Sequence, residues 1–230
     1  KRGLMGLVME FAEGVSLDRK LAELAAADAK RVPLAVEIGI DIASALAAAH
    51  EAHIVHCNVK PSNIMFTGGT YKLINFGIAA ALRSGTSKDD ADRDRELADL
   101  PPDSIGQKAA VLDKSGAESK TPIVGTIGYV DPVCIRTTSA PTASSDLYSL
   151  GATLYHCVAG DVPAVATAKH GKDKGAEAKV IAGGVAPAPL AEVVPSVPAD
   201  LAKLIDSLVS PKRDARPRSA DAVRRALERI

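Results

Sequence analysis

The segment HIVHCNVKPSNIMF (His53–Phe66), followed by INFG (Ile74–Gly77), decides how this chain folds. Residues 53–63 of it include imidazole, amide and ammonium side chains and a proline, and residues 64–66 are apolar. Residues 62–75 are typical of two short strands around Gly68-Gly69, a pair that favours a tight hairpin turn. The sequence therefore predicts a polar loop that leads into a β-hairpin.

Helical patterns lie on both sides of this hairpin. Most of them are amphipathic, but one is apolar nearly all round, which is typical of a helix at the centre of a domain. Ser16 and Ser219 are expected to cap the helices that they precede, and Pro33 to begin the longest helix. The predicted helices cover residues 16–24, 33–52, the apolar 145–158, and two amphipathic segments, one from Ser196 or Pro198 to Pro211 and one from Ser219 onwards.

Three other segments have weaker patterns. Residues 1–13 include LMGLVMEF, which predicts a strand. Residues 84–122 hold more acidic than basic residues, a Pro-Pro pair and scattered Gly and Ser, so we expect an exposed, mobile insertion. Residues 160–196 are rich in Ala, Gly, Pro and Lys and are expected to be irregular. All of these segments are assigned to one domain over residues 1–230.

The charge balance argues against nucleic acid as a partner. Lys and Arg together number 28, as do Asp and Glu, and aromatic residues make up 3% of a chain that has no tryptophan. Such a chain offers neither a net field for phosphate groups nor the aromatic rings on which bases stack.

The cysteines and the apolar runs indicate a location. The three cysteines, Cys57, Cys134 and Cys157, are scattered, which predicts neither a disulfide framework nor a zinc site. A reducing, cytoplasmic environment is therefore expected. No uninterrupted apolar run approaches the ~20 residues that a membrane-spanning helix needs, so no membrane span is expected.

In this order, the segments resemble the C-terminal lobe of a eukaryotic-like Ser/Thr protein kinase, of the kind common in bacteria. The catalytic-loop motif H-R-D-L-K-P-x-N of that family is HCNVKPSN here (His56–Asn63), and its metal-binding D-F-G is NFG (Asn75–Gly77). Matches to the hinge strand, the substrate loop and the last helix extend the resemblance over nearly the whole chain. The resemblance implies a mainly α fold of the α+β class: a helical, kinase-like C-lobe whose β-hairpin carries the catalytic and metal loops, with the N-lobe essentially absent.

The resemblance places amides where the family has two carboxylates. Asn58 occupies the position of the Asp that accepts the substrate hydroxyl proton, and a neutral amide cannot accept a proton near pH 7. Asn75 occupies the position of the metal-binding Asp, and an amide oxygen would bind Mg²⁺ only weakly. Asn63, which binds one Mg²⁺ in the family, is retained. Lys60 is retained as the residue that steadies the transferred phosphate, with a solvated loop lysine as the alternative.

Two further positions depart from the family pattern. Cys57 stands where an Arg would pair with a phosphorylated activation loop. Val133 stands where a Glu would pair with an Arg near the last helix, which is Arg216 here. The sequence leaves Arg216 either solvated or paired with Asp214.

The resemblance also retains residues that hold the domain together. His56, Phe76 and Asp146 match the stacked and hydrogen-bonded residues that tie the catalytic loop to the central helix. Thr126 and Tyr129 match the floor of the substrate loop.

Four residues match the adenine site of the family. Met9 matches the gatekeeper, the backbone of Glu10 and Ala12 matches the hinge, and Met65 matches the floor under adenine. Core filling is the alternative for the two methionines. No cofactor is expected, and ATP with Mg²⁺ would bind only weakly.

Loss of the carboxylates with retention of the scaffold indicates a pseudokinase. Its expected role is that of a regulatory or protein-binding module, with an active kinase or that kinase's substrate as the partner. The alternative is a Ser/Thr protein kinase with residual ATP-dependent phosphotransfer when an N-lobe is supplied. A third hypothesis, a decaying fragment, predicts poor folding because the upper surface of the lobe would be exposed.

Overall fold

Helices predominate in the structure of this chain. A three-stranded antiparallel sheet accompanies them, which confirms the predicted mainly α class with a β-hairpin. The predicted insertion at 84–122 lies outside the described residues, as does nearly all of the predicted strand at 1–13. The computed structural model describes residues 12–25, 28–76, 126–171, 175–182 and 185–230.

The elements of this described part follow one another from the sheet to the last helix. The helices are α1 (Leu17–Ala22), α2 (Arg31–Glu51), α3 (Pro132–Thr137), α4 (Ala143–Ala159), α5 (Pro163–His170), α6 (Ala176–Ile181), α7 (Leu190–Val193), α8 (Ala199–Leu208) and α9 (Ala220–Leu227). The strands are β1 (Val15–Ser16), β2 (Ile64–Thr67) and β3 (Thr70–Leu73), and single 3-10 turns lie at Pro61–Asn63 and Arg213–Ala215.

The predicted hairpin is present, with Thr67 opposite Thr70 at its tip. Gly68 and Gly69 turn the chain with φ values of 59° and 86°, which glycine adopts at little cost. The sequence did not predict β1, whose Val15 pairs with Phe66. A two-residue strand is too short for any periodic pattern to reveal it.

Helix α4 is the centre of the core, as the sequence predicted. Every residue from Ser145 to Tyr155 is buried, and helices α2, α5, α7 and α8 pack around them. Two glycines permit the close approach of the helices. A Cβ atom on Gly151 would lie 2.4 Å from Leu208 Cβ of α8, and one on Gly39 of α2 would lie 2.6 Å from Leu227 Cδ1 of α9.

Helix α2 begins at Arg31, two residues before the predicted Pro33. By length and composition it is also long and apolar enough to cross a membrane, although Glu37 and Asp41 interrupt its apolar run. Its packing accounts for this composition. The side chains of Ile38, Ile42 and Leu46 are completely buried. The helix packs against α4, α9 and β3.

Two sequence predictions need correction. Residues 160–196 were expected to be irregular, but α5, α6 and α7 lie there, built largely on buried alanines such as Ala164 and Ala166 that give no strong apolar period. Ser16 precedes α1 as expected but forms no side-chain capping bond. Ser219 does cap its helix, since its Oγ accepts from the Ala222 N–H at 3.1 Å.

Candidate functional site

The loop between α2 and β2 is held to the core by one buried carboxylate. Asp146, in the first turn of α4, is fully buried. It accepts hydrogen bonds from the backbone N–H groups of His56 and Cys57, both at 2.8 Å, and contacts His50 Nε2 at 2.9 Å. A buried carboxylate is stable only when donors surround it in this way. The shape of the loop therefore depends on α4.

Cys57 has a conformation that this carboxylate stabilises. Its φ of 68° lies in the left-handed region, which costs a residue with a side chain about 1–3 kcal/mol. The bond from its N–H to Asp146 offsets part of that cost. No disulfide joins any two of Cys57, Cys134 and Cys157, all of which lie among the described residues. A thiol cannot form the bidentate contact with phosphate that a guanidinium forms.

His56 is held as the neutral imidazole. Its Nε2 lies 2.9 Å from the Ile74 carbonyl oxygen, which only accepts, so Nε2 carries the proton. Its Nδ1 accepts from the Asn58 N–H at 3.2 Å. Burial lowers the pKa of His56 against the opposing effects of the Ile74 carbonyl and Asp146. The ring meets Phe76 edge to face at 4.7 Å between centroids, so the expected contacts among His56, Phe76 and Asp146 are present.

Lys60 is not a solvated loop lysine. It is buried, and its Nζ donates to Thr126 Oγ1 at 2.8 Å. This bond joins the catalytic-loop segment to the start of the predicted substrate loop, 66 residues away in the chain. The structure thus brings together two residues that belong to separate sequence motifs.

Three asparagines form a hydrogen-bonded chain beside Lys60. Asn63 Nδ2 donates to the Asn58 backbone oxygen at 2.8 Å, and Asn75 Nδ2 donates to Asn63 Oδ1 at 3.1 Å. The amide orientations follow from the first bond. Because a backbone carbonyl only accepts, Asn63 turns its NH₂ group to Asn58 and its oxygen to Asn75, whose NH₂ group must then face that oxygen. We call the pair of bonds the amide bridge.

The residues at the predicted metal site do not fit Mg²⁺. This ion is bound through oxygen ligands that usually include carboxylates, but the bridge directs an NH₂ group at the Asn63 oxygen and adds no negative charge. Throughout the described part of the chain, no group of three or more His, Cys, Asp or Glu side chains is placed to hold a metal ion.

The structure describes only half of the predicted adenine site. Ala12 and Met65 are half-buried, and Met65 lies on β2 opposite Lys72. Met9 and Glu10 lie outside the described residues. The adenine prediction therefore stays a prediction.

Arg216 is neither solvated nor paired with Asp214, so both alternatives from the sequence were wrong. It is buried, and its Nη2 donates to Asp131 Oδ1 at 2.8 Å. Arg213 donates to Asp131 Oδ2 through Nε and Nη2, at 3.1 and 3.0 Å. The acid that pairs with Arg216 thus lies two residues before Val133, the position where the family carries it.

Asp131 also begins helix α3. Its Oδ1 accepts from the Val133 N–H at 3.0 Å, and its Oδ2 accepts from the Ser145 hydroxyl at 3.0 Å. Burial alone would raise the pKa of Asp131, but the hydrogen bond and charge of Arg216, with these further donors, hold the pKa below its usual range. Because the folded pKa is lowered, this stabilisation is present above the unfolded pKa of about 4 and is lost as the pH falls through the folded pKa.

Tyr129, in the predicted substrate loop, contacts a histidine of α4. Its hydroxyl lies 2.7 Å from His156 Nδ1. Burial lowers the pKa of His156, and the charge of Arg31 lowers it further, against the opposing effect of Asp161. Burial also raises the pKa of Tyr129, so the hydroxyl keeps its proton and donates it to the neutral ring.

These histidines should make stability depend on pH. The pKa values of His56 and His156 are lower in the folded chain than the ~6.5 of an unfolded chain, so the unfolded state binds more protons below pH ~6.5. Stability should therefore be constant above that pH and fall as the pH drops from ~6.5 towards 5. Urea denaturation at each pH measures this slope.

A substitution at His156 should reduce the slope. His156→Gln keeps an acceptor for the Tyr129 hydroxyl but cannot be protonated, so the free energy of unfolding should depend less on pH. His170→Gln, at an exposed ring on α5, is the matched control and should leave the slope as in the wild type. Equal slopes for all three proteins would contradict the assignment to His156.

Several residues of these networks were missed from the sequence. His50, Arg213 and His156 carry no local signal, because their partners lie 96, 82 and 27 residues away. Asp131 did carry one. An acid directly before a proline is typical of a helix start, and it marks Asp131 as the residue before α3.

Comparison with known proteins agrees with the fold of the chain. A family model described as "Protein kinase domain" matches residues 2–227. The Probable serine/threonine-protein kinase PknB of Corynebacterium glutamicum is 33% identical over 159 residues, which are 68% of this chain and 20% of that protein. The Serine/threonine-protein kinase PknB of Mycobacterium leprae is 32% identical over 159 residues, with the same two shares. The chain thus spans about a fifth of the length of these curated relatives.

A solved structure has the same fold. The kinase domain of Mycobacterium tuberculosis PknI matches with a TM-score of 0.57 and 18% sequence identity, over 96% of this chain and 63% of that one. At this identity the likeness concerns the fold alone.

Proposed function

This chain belongs to the protein kinase family, and we propose that it is a pseudokinase that acts as a regulatory or protein-binding module. Its partner, in this proposal, is an active kinase or a substrate of such a kinase. ATP with Mg²⁺ is at most a weak ligand.

One observation carries this proposal. The two positions at which the family has carboxylates hold amides, while the contacts that support those positions are intact. Asn58 follows a loop that Asp146 holds at His56 and Cys57, so the backbone that presents a catalytic base is in place without the base. An amide at that position offers no proton acceptor for a substrate hydroxyl.

The scaffold around the substrate loop supports a binding role. Asp131, Arg213 and Arg216 fix the start of α3, and Lys60 contacts Thr126 at the other end of the same loop. A surface supported at both ends is preorganised, which lowers the cost of binding a protein segment.

We expect no phosphotransfer above background from this chain. A missing general base alone typically costs ~10²–10⁴-fold in rate, and the loss of the metal-binding carboxylate adds to that. The measurement is transfer of label from radiolabelled ATP, with Mg²⁺ or Mn²⁺, to the chain itself and to a generic basic protein.

Lys60→Ala is the control for that assay. A signal that persists in Lys60→Ala comes from a contaminating kinase. A wild-type signal that Lys60→Ala abolishes would contradict the proposal and favour the alternative, a Ser/Thr kinase with residual activity.

The binding role needs its own test. Calorimetric titration with the kinase domain of an active Ser/Thr kinase from the same organism should show saturable binding with a measurable Kd. Arg213→Ala, which loosens one end of the supported loop, should weaken that binding more than the exposed Lys169→Ala does. Absence of binding to every such kinase and to its substrates would remove the regulatory role.

A further inference from the structure

The amide bridge joins the two residues that the family resemblance matches to ligands of a divalent cation. In the family pattern, the residues at positions 63 and 75 both face Mg²⁺, so two oxygens are held together by the charge between them. Here Asn75 Nδ2 lies 3.1 Å from Asn63 Oδ1, and the two side chains contact each other directly. Nothing needs to lie between them.

We propose that the amide bridge is a metal-independent substitute for this cation, which ties the end of β3 to the catalytic loop. The inference rests on the proposed function, because it describes how a site without phosphotransfer stays ordered. It adds a specific role for Asn75, which is to supply a donor where the family supplies an acceptor.

The geometry on both sides of Asn75 supports this role. Asn75 has a φ of 66°, in the left-handed region that Asn and Asp tolerate better than most residues. Asn63 is buried, and the Asn58 carbonyl fixes the orientation of its amide. The Asn63 oxygen therefore cannot turn away from position 75 unless Asn63 Nδ2 loses its hydrogen bond to the Asn58 carbonyl oxygen.

Asn75→Asp should replace the hydrogen-bond donor of the amide bridge with an acceptor. The substitution keeps a residue that tolerates the left-handed conformation but places a carboxylate oxygen against Asn63 Oδ1, so two acceptors meet and the hydrogen bond is lost. A divalent cation between the two oxygens would relieve this repulsion. The variant should therefore need a cation that the wild type does not need.

The test is thermal denaturation of the full chain, without nucleotide, in EDTA, in millimolar MgCl₂ and in millimolar MnCl₂. The wild-type Tm should be the same in all three. Asn75→Asp should melt about 3–8 °C lower in EDTA, the range expected for one lost, partly buried hydrogen bond in a domain of this size. Either cation should restore a large part of that loss.

Two variants make the result specific. Asn58→Asp is the same chemical change at the neighbouring amide, but the bridge uses the backbone oxygen of that residue, so its Tm should not depend on the cation. Asn63→Ala removes both bonds and the oxygen ligand, so its Tm should fall without recovery in Mg²⁺ or Mn²⁺.

Three outcomes would overturn the inference. They are a wild-type Tm that rises with either cation, an Asn75→Asp Tm equal to that of the wild type in EDTA, and an Asn75→Asp loss that neither cation restores. None of these melts involves ATP or a partner protein. The phosphotransfer and titration experiments can therefore fail independently, and a failure of the proposed function is distinguished from a failure of the bridge.

Discussion

Asp146→Ala is expected to destabilise the domain by about 3–5 kcal/mol, the usual cost of removing one member of a buried, charged contact. The substitution removes the acceptor for the N–H groups of His56 and Cys57 and for the His50 ring. Cys57 would then keep its left-handed conformation without the bond that stabilises it. Thermal denaturation should show a Tm about 6–20 °C below that of the wild type.

Two controls separate this effect from a general loss of charge. Asp146→Asn keeps the shape and one oxygen acceptor but turns an NH₂ group towards a donor, so its Tm should lie between those of the alanine variant and the wild type. Asp161→Ala breaks an ion pair with Lys169 that is largely exposed to solvent, and its Tm should change far less. An Asp146→Ala protein that melts with the wild type would contradict the role assigned to this carboxylate.

Asp131→Ala is expected to have an effect of similar size, about 3–5 kcal/mol. The reason is the charge left behind: Arg216 is 0% exposed at its side chain and would lose its only described carboxylate partner. Arg213 would lose two hydrogen bonds, and α3 would lose the side chain that caps it. The same melting experiment measures the loss.

A second substitution should recover part of that stability. Asp131→Ala combined with Val133→Glu returns the acid to the position that the family uses, two residues further along in the first turn of α3. The double variant should melt above the single variant if Arg216 accepts either partner. Equal Tm values for the two would mean that the position of the acid, and not only its charge, is required. Asp221→Ala, at an ion pair on the surface of α9, should change the Tm little.

Local patterns predicted the hairpin and the central helix well. Gly68-Gly69 can turn the chain in few ways, and a helix that is apolar nearly all round has no solvent-facing side. The alanine-rich segment at 160–196 was predicted poorly for the opposite reason. Its helices are short and are buried through small side chains, so the difference between their buried and exposed faces is slight.

The identities of the candidate site residues could also be predicted from the sequence, but their hydrogen-bond partners could not. The motif order placed Asn58, Lys60, Asn63 and Asn75 in one site. That Lys60 would be buried against Thr126, and that Asn75 would donate to Asn63, depends on how the loops approach each other in space. The spacing of residues along the chain predicts which of them can come into contact. It does not predict which atom of an amide side chain faces a given neighbour.

The sequence by itself therefore determined the family and the mainly helical fold, because each follows from residue types in a fixed order, and it places amide side chains at Asn58 and Asn75. Only the tertiary structure decided which groups the polar side chains of the site contact. In the folded chain, the Asn75 amide donates a hydrogen bond to Asn63, and Arg216 pairs with Asp131. Both contacts depend on how the polar side chains are oriented. That orientation is set only when segments that are distant in sequence pack together.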